Sequence, residues 1–288
     1  MMNFNQFGLK NELVQAVTQL GFTHPSPIQQ NTIPLLINNT TDIIALAQTG
    51  TGKTAAFGLP LLHKLDPDAP GVQALILSPT RELCMQIKDE MVKYSAFMED
   101  VSIAAVYGGA SISEQIRQIK RGVDIIVATP GRLIDLIDRR ALFLNDVSTI
   151  VLDEADEMLN MGFREDIDRI LEVTESREEV WLFSATMNND VRRIAKKFMD
   201  APQEVAVARE NVGNENISHQ YYVTQGKYRY EALQRMLDIT PDIYGIIFTR
   251  TKQDAHDVSE KLVKDGYQVS ALHGDLDQNM RRQGNGKI

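Results

Sequence analysis

Asp42-Ile43-Ile44-Ala45-Leu46-Ala47-Gln48-Thr49-Gly50-Thr51-Gly52-Lys53-Thr54 is the stretch on which the reading of this chain turns. Residues 42–47 are a short, continuous apolar run, the pattern of a strand buried on both faces in a parallel sheet. A glycine-bearing turn follows, and a helical pattern opens at Lys53. Strand, Ala47-Gln48-Thr49-Gly50-Thr51-Gly52-Lys53-Thr54 and helix together make a P-loop setting. Its glycines let backbone N–H groups close in on phosphates, and the helix N-terminus adds a favourable dipole. Lys53 is expected to reach the β- and γ-phosphates, and the Thr54 hydroxyl to ligate Mg²⁺. The first position is Ala47 rather than glycine, so the motif is a relaxed one. A plain glycine-rich turn is the alternative until a second element is found.

Outward from this point the same alternation repeats. Ala74–Leu77, Ile103–Tyr107, Ile125–Ala128, Ile150–Leu152, Trp181–Phe183 and Val205–Val207 read as strands. Helix-period stretches lie between them: Glu82–Phe97, Ser113–Arg121 and Asp190–Met199. A helical stripe of Leu9, Leu13, Val14, Val17 and Leu20 precedes the first strand. Alternating β and α elements with right-handed crossovers predict an α/β, doubly wound parallel sheet. The polar segment 209–216 contains a glycine and no periodicity, and reads as a linker. Beyond it, strands at Ile217–Val223, Ile243–Phe248 and Val269–His273 alternate with helices at Tyr228–Leu237 and Gln253–Asp265. The expected organisation is a complete domain over 1–208, a linker, and a partial second domain over 217–288. Three strands leave sheet edges unpartnered, so the second domain is expected to be incomplete.

Composition sets bounds. The chain has 288 residues, 43% hydrophobic and 24% charged, with a formal net charge of -9. Nucleic acid is therefore not bound by bulk charge, and any contact depends on local Arg, Lys and backbone N–H groups. Cys84 is the single cysteine, so no internal disulfide forms, which fits a reducing compartment. Its apolar neighbours Leu83 and Met85 read as packing rather than a nucleophile's setting. The histidines have no metal-ligand spacing. The N-terminus lacks a signal-peptide pattern, and no apolar run approaches the 18 or so residues of a membrane span. A cytoplasmic location without membrane attachment is expected.

The second chemical element is Ile150-Val151-Leu152-Asp153, an apolar strand ending in an acid. Asp153 is expected to hold Mg²⁺ through water, an ion that keeps several waters. Glu154 is placed to accept a proton from the attacking water. Three acids in Asp153-Glu154-Ala155-Asp156 directly after a buried strand are costly unless a cation sits there; a solvated acidic turn is the alternative.

Asp153-Glu154-Ala155-Asp156 spells the DEAD box, and the chain resembles the DEAD-box RNA helicases in further motifs in order. Gly21-Phe22-Thr23-His24-Pro25-Ser26-Pro27-Ile28-Gln29 resembles the Q motif, with Phe4 upstream. The resemblance implies that Gln29 hydrogen-bonds the adenine edge and Phe4 packs on its face, with Phe22 also among the cofactor-binding residues. A side-chain amide offers a donor and an acceptor together, which matches adenine and rejects guanine. Pro79-Thr80-Arg81-Glu82-Leu83 resembles motif Ia, Gly108-Gly109 the glycine doublet, and Thr129-Pro130-Gly131-Arg132 motif Ib. The resemblance implies that these loops grip the RNA sugar–phosphate backbone without reading bases. Ser184-Ala185-Thr186 resembles motif III, which with Asp156 couples ATP state to RNA handling. Thr249 and Arg250, in Ile246–Thr251, resemble motif IV, a further RNA contact. His273–Arg281 resembles the segment with a Gln-x-x-Arg element. The implied fold is RecA-like, the implied cofactors are ATP and Mg²⁺, and the implied partner is RNA.

Nothing in these residues matches motifs V and VI, whose arginines reach the γ-phosphate in the family. The segment 282–288 departs from the expected continuation, and truncation within the second RecA-like domain is the expectation. Arginine fingers are typically worth about 10³–10⁵ in rate, so weak ATP binding, poor hydrolysis and no unwinding are expected of this chain alone. Two other readings compete: a non-catalytic RNA-binding or regulatory fragment, which the absent motifs favour, and a different P-loop enzyme such as a small-molecule kinase. The Q motif and the RNA-grip loops argue against the latter.

Overall fold

Every apolar run expected before residue 208 is a strand. The computed structural model describes residues 3–174, 176–207, 218, 220–240 and 242–273. They fall into two units, one within Met1–Asn211 and one within Val212–Ile288.

In the first unit the strands are β1 (Ile43–Leu46), β2 (Ala74–Leu77), β3 (Ile103–Val106), β4 (Ile125–Ala128), β5 (Thr149–Leu152), β6 (Glu179–Ser184) and β7 (Gln203–Ala206). The helices are α1 (Asn11–Gln19), α2 (Pro27–Asn38), α3 (Lys53–Lys64), α4 (Arg81–Tyr94), α5 (Ile112–Ile119), α6 (Pro130–Asp138), α7 (Ala155–Asn160), α8 (Arg164–Val173) and α9 (Asn189–Phe198). The strands form one sheet of seven, ordered β3-β4-β2-β5-β6-β1-β7, and every pairing is parallel. A parallel sheet needs a layer on each face, and the strand period of two supplies both cores. Ile43, Ala45, Ile76, Val127, Val151, Trp181 and Phe183 pack with residues of α1–α4. Ile44, Leu75, Leu77, Ile126, Ile150, Leu152 and Leu182 pack with residues of α5–α9. The result is a three-layer, doubly wound α/β unit.

Helix starts follow local chemistry. Thr80 caps α4, its hydroxyl accepting from the Leu83 N–H at 3.2 Å, and the Asn188 side chain does the same for α9 from Val191 at 2.9 Å. Pro27 and Pro130 stand in the first turns of α2 and α6, where a missing N–H costs nothing.

At the opposite end of the sheet from the motif loops, Glu179 is buried and bound by the Lys64 ammonium at 2.7 and 2.8 Å, the Thr41 N–H at 3.0 Å and the Thr149 hydroxyl at 3.3 Å. Asp42 accepts from the N–H groups of Val180 and Asp200, both at 2.6 Å. Burial pushes the Asp42 carboxyl up, against these two bonds and Arg177.

The second unit differs from expectation. Its helices, α10 (Arg229–Ile239) and α11 (Lys252–Lys264), coincide with the expected ones. The Tyr230 hydroxyl donates to Asp265 at 2.5 Å, and the Tyr267 hydroxyl to Asp238. The expected strands at 217–223, 243–248 and 269–273 are not formed among the described residues. A strand exists only as part of a ladder, and among the described residues none of these runs forms one. In the run 243–248 the apolar side chains stay exposed, Phe248 at 89% and Ile246 at 61%. The expected linker 209–216 and the residues 274–281 of the Gln-x-x-Arg segment lie outside the described residues.

Candidate functional site

The strand order sorts the motif loops. β5, β6 and β1 are neighbours, and their carboxyl ends carry Asp153–Asp156, Ser184–Thr186 and Ala47–Thr54. β3, β4 and β2 are neighbours, and theirs carry Gly108-Gly109, Thr129–Arg132 and Pro79–Arg81. All lie at the end of the sheet where open α/β folds bind ligands.

In the first group, the Ala47 N–H donates to the Ser184 carbonyl at 3.0 Å, fastening the loop to β6. Gln48, Thr49 and Gly50 are exposed. Gly50 and Gly52 have φ of 74° and 91°, values only glycine adopts without strain. The Thr51 hydroxyl bonds the Gln48 carbonyl at 2.8 Å. Lys53 is buried, 7% exposed. Its ammonium lies 3.9 Å from Asp153 Oδ1 and has no hydrogen-bond partner. Thr54 is half-buried.

Gln29 is 5% exposed. Its Oε1 accepts from the Ser26 N–H at 2.8 Å, and its Nε2 donates to the Gly52 carbonyl at 3.0 Å. The Q segment therefore touches the phosphate loop directly, and a Cβ on Gly52 would stand 2.4 Å from Gln29 Nε2. Phe4, in a 3₁₀ turn, is 4% exposed. Its ring packs edge-on against Phe7 at 5.8 Å and tilted against Phe22 at 6.1 Å. Phe22 is the half-buried ring of this cluster, with Tyr94 at 6.2 Å on its other side.

Asp153 is 3% exposed. Burial, with Glu154 and Asp156 nearby, pushes its carboxyl up to about 6 against the attraction of Lys53. Its Oδ1 accepts the Glu154 N–H at 3.0 Å. Glu154 sits at φ 52°, ψ 50°, in the left-handed region, and opens α7. A non-glycine residue there is strained, a feature that gathers at functional sites. Asp156 Oδ2 accepts from the Thr186 N–H at 3.0 Å and its hydroxyl at 2.8 Å, and the Ser184 hydroxyl donates to the Thr186 carbonyl at 2.8 Å. Burial pushes the Asp156 carboxyl up, but the bonds from Thr186, Ser184 and Ala185 prevail and hold it below the usual range. The expected coupling residues Asp156, Ser184 and Thr186 are thus in contact. Among the described residues no group of three His, Cys, Asp or Glu forms a metal cage; a phosphate-bound Mg²⁺ needs only one or two carboxylates.

In the second group, Pro79 and Pro130 are buried, Thr80, Arg81, Thr129 and Arg132 half-buried, and Gly108, Gly109 and Gly131 exposed. The Arg81 guanidinium lies 4.8 Å from the centroid of the Tyr107 ring. Arg132 is less free than its motif suggests: Nη1 and Nη2 bond the Ala110 carbonyl at 3.2 and 3.3 Å, and Nη1 bonds Gln115 Oε1 at 2.8 Å. The sequence reading missed Gln115, although a signal exists. It is the fourth residue of α5 and shares a face with Ile112, Ile116 and Ile119, an amide in an apolar stripe. Thr249 and Arg250 belong to the second unit, where the Thr249 hydroxyl bonds the Thr251 carbonyl at 3.0 Å and Arg250 is exposed.

The DEAD/DEAH box helicase family model matches residues 26–194, more than half of the chain. The chain belongs to the DEAD-box RNA helicase family. It is 44% identical over 280 residues to the DEAD-box ATP-dependent RNA helicase CshA of Bacillus subtilis, covering 97% of this chain and 56% of that protein. With CshA of Bacillus cereus it shares 46% over 281 residues, 98% of this chain and 53% of the relative. This DEAD-box chain therefore spans about half the length of these curated relatives. Among solved structures, a DEAD box protein from Methanococcus jannaschii is 39% identical with a TM-score of 0.70, over 98% of this chain and 76% of that one. Dbp5 of S. cerevisiae, bound to RNA and ADP BeF3, is 30% identical with a TM-score of 0.87, over 100% and 73%. No helix among the described residues is long and apolar enough to cross a membrane.

Proposed function

We propose that this DEAD-box chain is the ATP- and RNA-binding part of an ATP-dependent RNA helicase, acting in the cytoplasm. The observation that carries the ATP half is the Lys53 ammonium, buried, without a hydrogen-bond partner and beside a buried carboxylate. A buried cation lacking hydrogen bonds is costly, and phosphate oxygens would satisfy it. Loop N–H groups cradle the phosphates, Lys53 binds the β- and γ-oxygens, and Thr54 and Asp153 hold Mg²⁺, which supplies charge neutralisation when bound. Glu154 takes the proton of the attacking water. The Gln29 amide, oriented by Ser26 and Gly52, keeps one N–H and one lone pair for the adenine edge. Phe4 and Phe22 support that end.

The loops at β2, β3 and β4 grip the RNA backbone without reading sequence; Thr249 and Arg250 are RNA contacts of the second unit. Asp156, Ser184 and Thr186 tie the nucleotide state to them. No residue of these 288 matches the arginine-bearing motifs V and VI, so turnover by this chain alone is expected to be slow and unwinding absent. The test is ATP hydrolysis with and without single-stranded RNA, with Glu154→Gln as the blank. RNA-stimulated turnover lost in the variant supports the reading; turnover that survives the substitution refutes it.

A further inference from the structure

The three loops of the β3-β4-β2 half come from distant parts of the sequence, yet one buried side chain joins them. Gln115 of α5 is 6% exposed. Its Nε2 donates to the Tyr107 carbonyl at 3.2 Å, and its Oε1 accepts from Arg132 Nη1 at 2.8 Å. Arg132 also donates to the Ala110 carbonyl through both terminal nitrogens. Tyr107 and Ala110 are the residues that bracket Gly108-Gly109. The glycine doublet is thus pinned at both ends, by Gln115 on one side and by Arg132, itself held by Gln115, on the other. The third loop joins through Arg81, whose guanidinium lies on the Tyr107 ring.

The doublet itself has no such support. A Cβ on Gly108 would meet nothing within 4 Å, and Gly109 sits at φ 77°. Both are exposed, so packing does not set their path; the flanking carbonyl bonds do. The two bonds made by Gln115 require a donor and an acceptor in one side chain, which its neutral amide supplies.

We infer that Gln115 is a positioning residue that holds the Gly108-Gly109 loop, Arg132 and, through Tyr107, Arg81 in the single arrangement that receives the RNA backbone. This rests on the proposed RNA-binding role of those loops. Gln115→Met keeps the length and removes both bonds. Gln115→Glu keeps an acceptor for Arg132 and removes the donor to Tyr107.

The experiment measures three quantities on the 288-residue chain and both variants. They are affinity for a fluorescein-labelled single-stranded RNA by anisotropy, affinity for a fluorescent ADP analogue, and amide exchange at residues 108–110. Gln115→Met is expected to weaken RNA binding about tenfold, as befits two lost buried bonds, one to a charged group. Nucleotide affinity is expected to hold while residues 108–110 exchange faster, and Gln115→Glu falls between the two. RNA affinity equal to wild type in Gln115→Met, or RNA and nucleotide affinity lost together, overturns the assignment while leaving the loops' RNA role standing. A wild-type chain that binds no RNA overturns that role and the assignment with it.

Discussion

Replacing Asp153 by Asn should stabilise the nucleotide-free protein while destroying its magnesium-nucleotide site. The carboxylate is 3% exposed, and burial lifts its pKa from 3.8 to about 6. A carboxyl that holds its proton more tightly folded than unfolded weakens the fold wherever it is ionised. The penalty is full above pH 6 and fades as pH falls through 6 towards 3.8. At about 1.36 kcal/mol per pKa unit, it reaches roughly 3 kcal/mol at pH 7.5 and about half that at pH 5. The attraction of Lys53 is already contained in that value. For a unit of this size the gain corresponds to a rise of roughly 6–12 °C in unfolding temperature. The assay is built in: Trp181 is the only tryptophan and is fully buried in the first unit, so its fluorescence follows unfolding in urea. Without nucleotide or Mg²⁺, Asp153→Asn should outlast wild type at pH 7.5, with the gap narrowing at pH 5. A variant no more stable than wild type at pH 7.5, or a gap that widens as pH falls, refutes the argument.

Two further substitutions test the site's supports. Gly52→Ala places a Cβ 2.4 Å from Gln29 Nε2 at a φ of +91°. It should cost about 1–3 kcal/mol and, by displacing Gln29, erase any preference for ATP over GTP analogues in fluorescence titrations. Glu179→Ala strips the buried partner from Lys64, Thr41 and Thr149. It should destabilise the first unit by roughly 2–4 kcal/mol, less than a fully buried pair because Lys64 keeps some access to water. Trp181 fluorescence in urea reads the loss, and nucleotide affinity of the folded fraction should be unchanged.

Most of the first unit was legible because its strands are uninterrupted apolar runs, a pattern a doubly covered parallel sheet requires. β1 could be placed from its apolar run and the glycine-lysine loop after it, and β5 from an apolar run ending in Asp153. Strand order could not, since it depends on which helix crosses which face; that order is what puts Arg81, Gly109 and Arg132 together. Gln29 was singled out by resemblance, but its contact with Gly52 links residues far apart in sequence and left no local trace. The bond from Arg132 to Gln115 leaves little trace in sequence, because Gln115 looks like an ordinary helix residue unless set against Ile112, Ile116 and Ile119. The runs 243–248 and 269–273 misled for the opposite reason. Their β propensity is real, but among the described residues it is not turned into a ladder.

The most direct test of the account is equilibrium binding of a fluorescent ATP analogue to this chain in Mg²⁺, wild type against Lys53→Ala. Binding should be saturable, displaced by ATP more readily than by GTP, and weakened at least about tenfold in the variant, since removing a buried cation from phosphate forfeits strong charge-assisted bonds. Equal affinity in wild type and Lys53→Ala would contradict it.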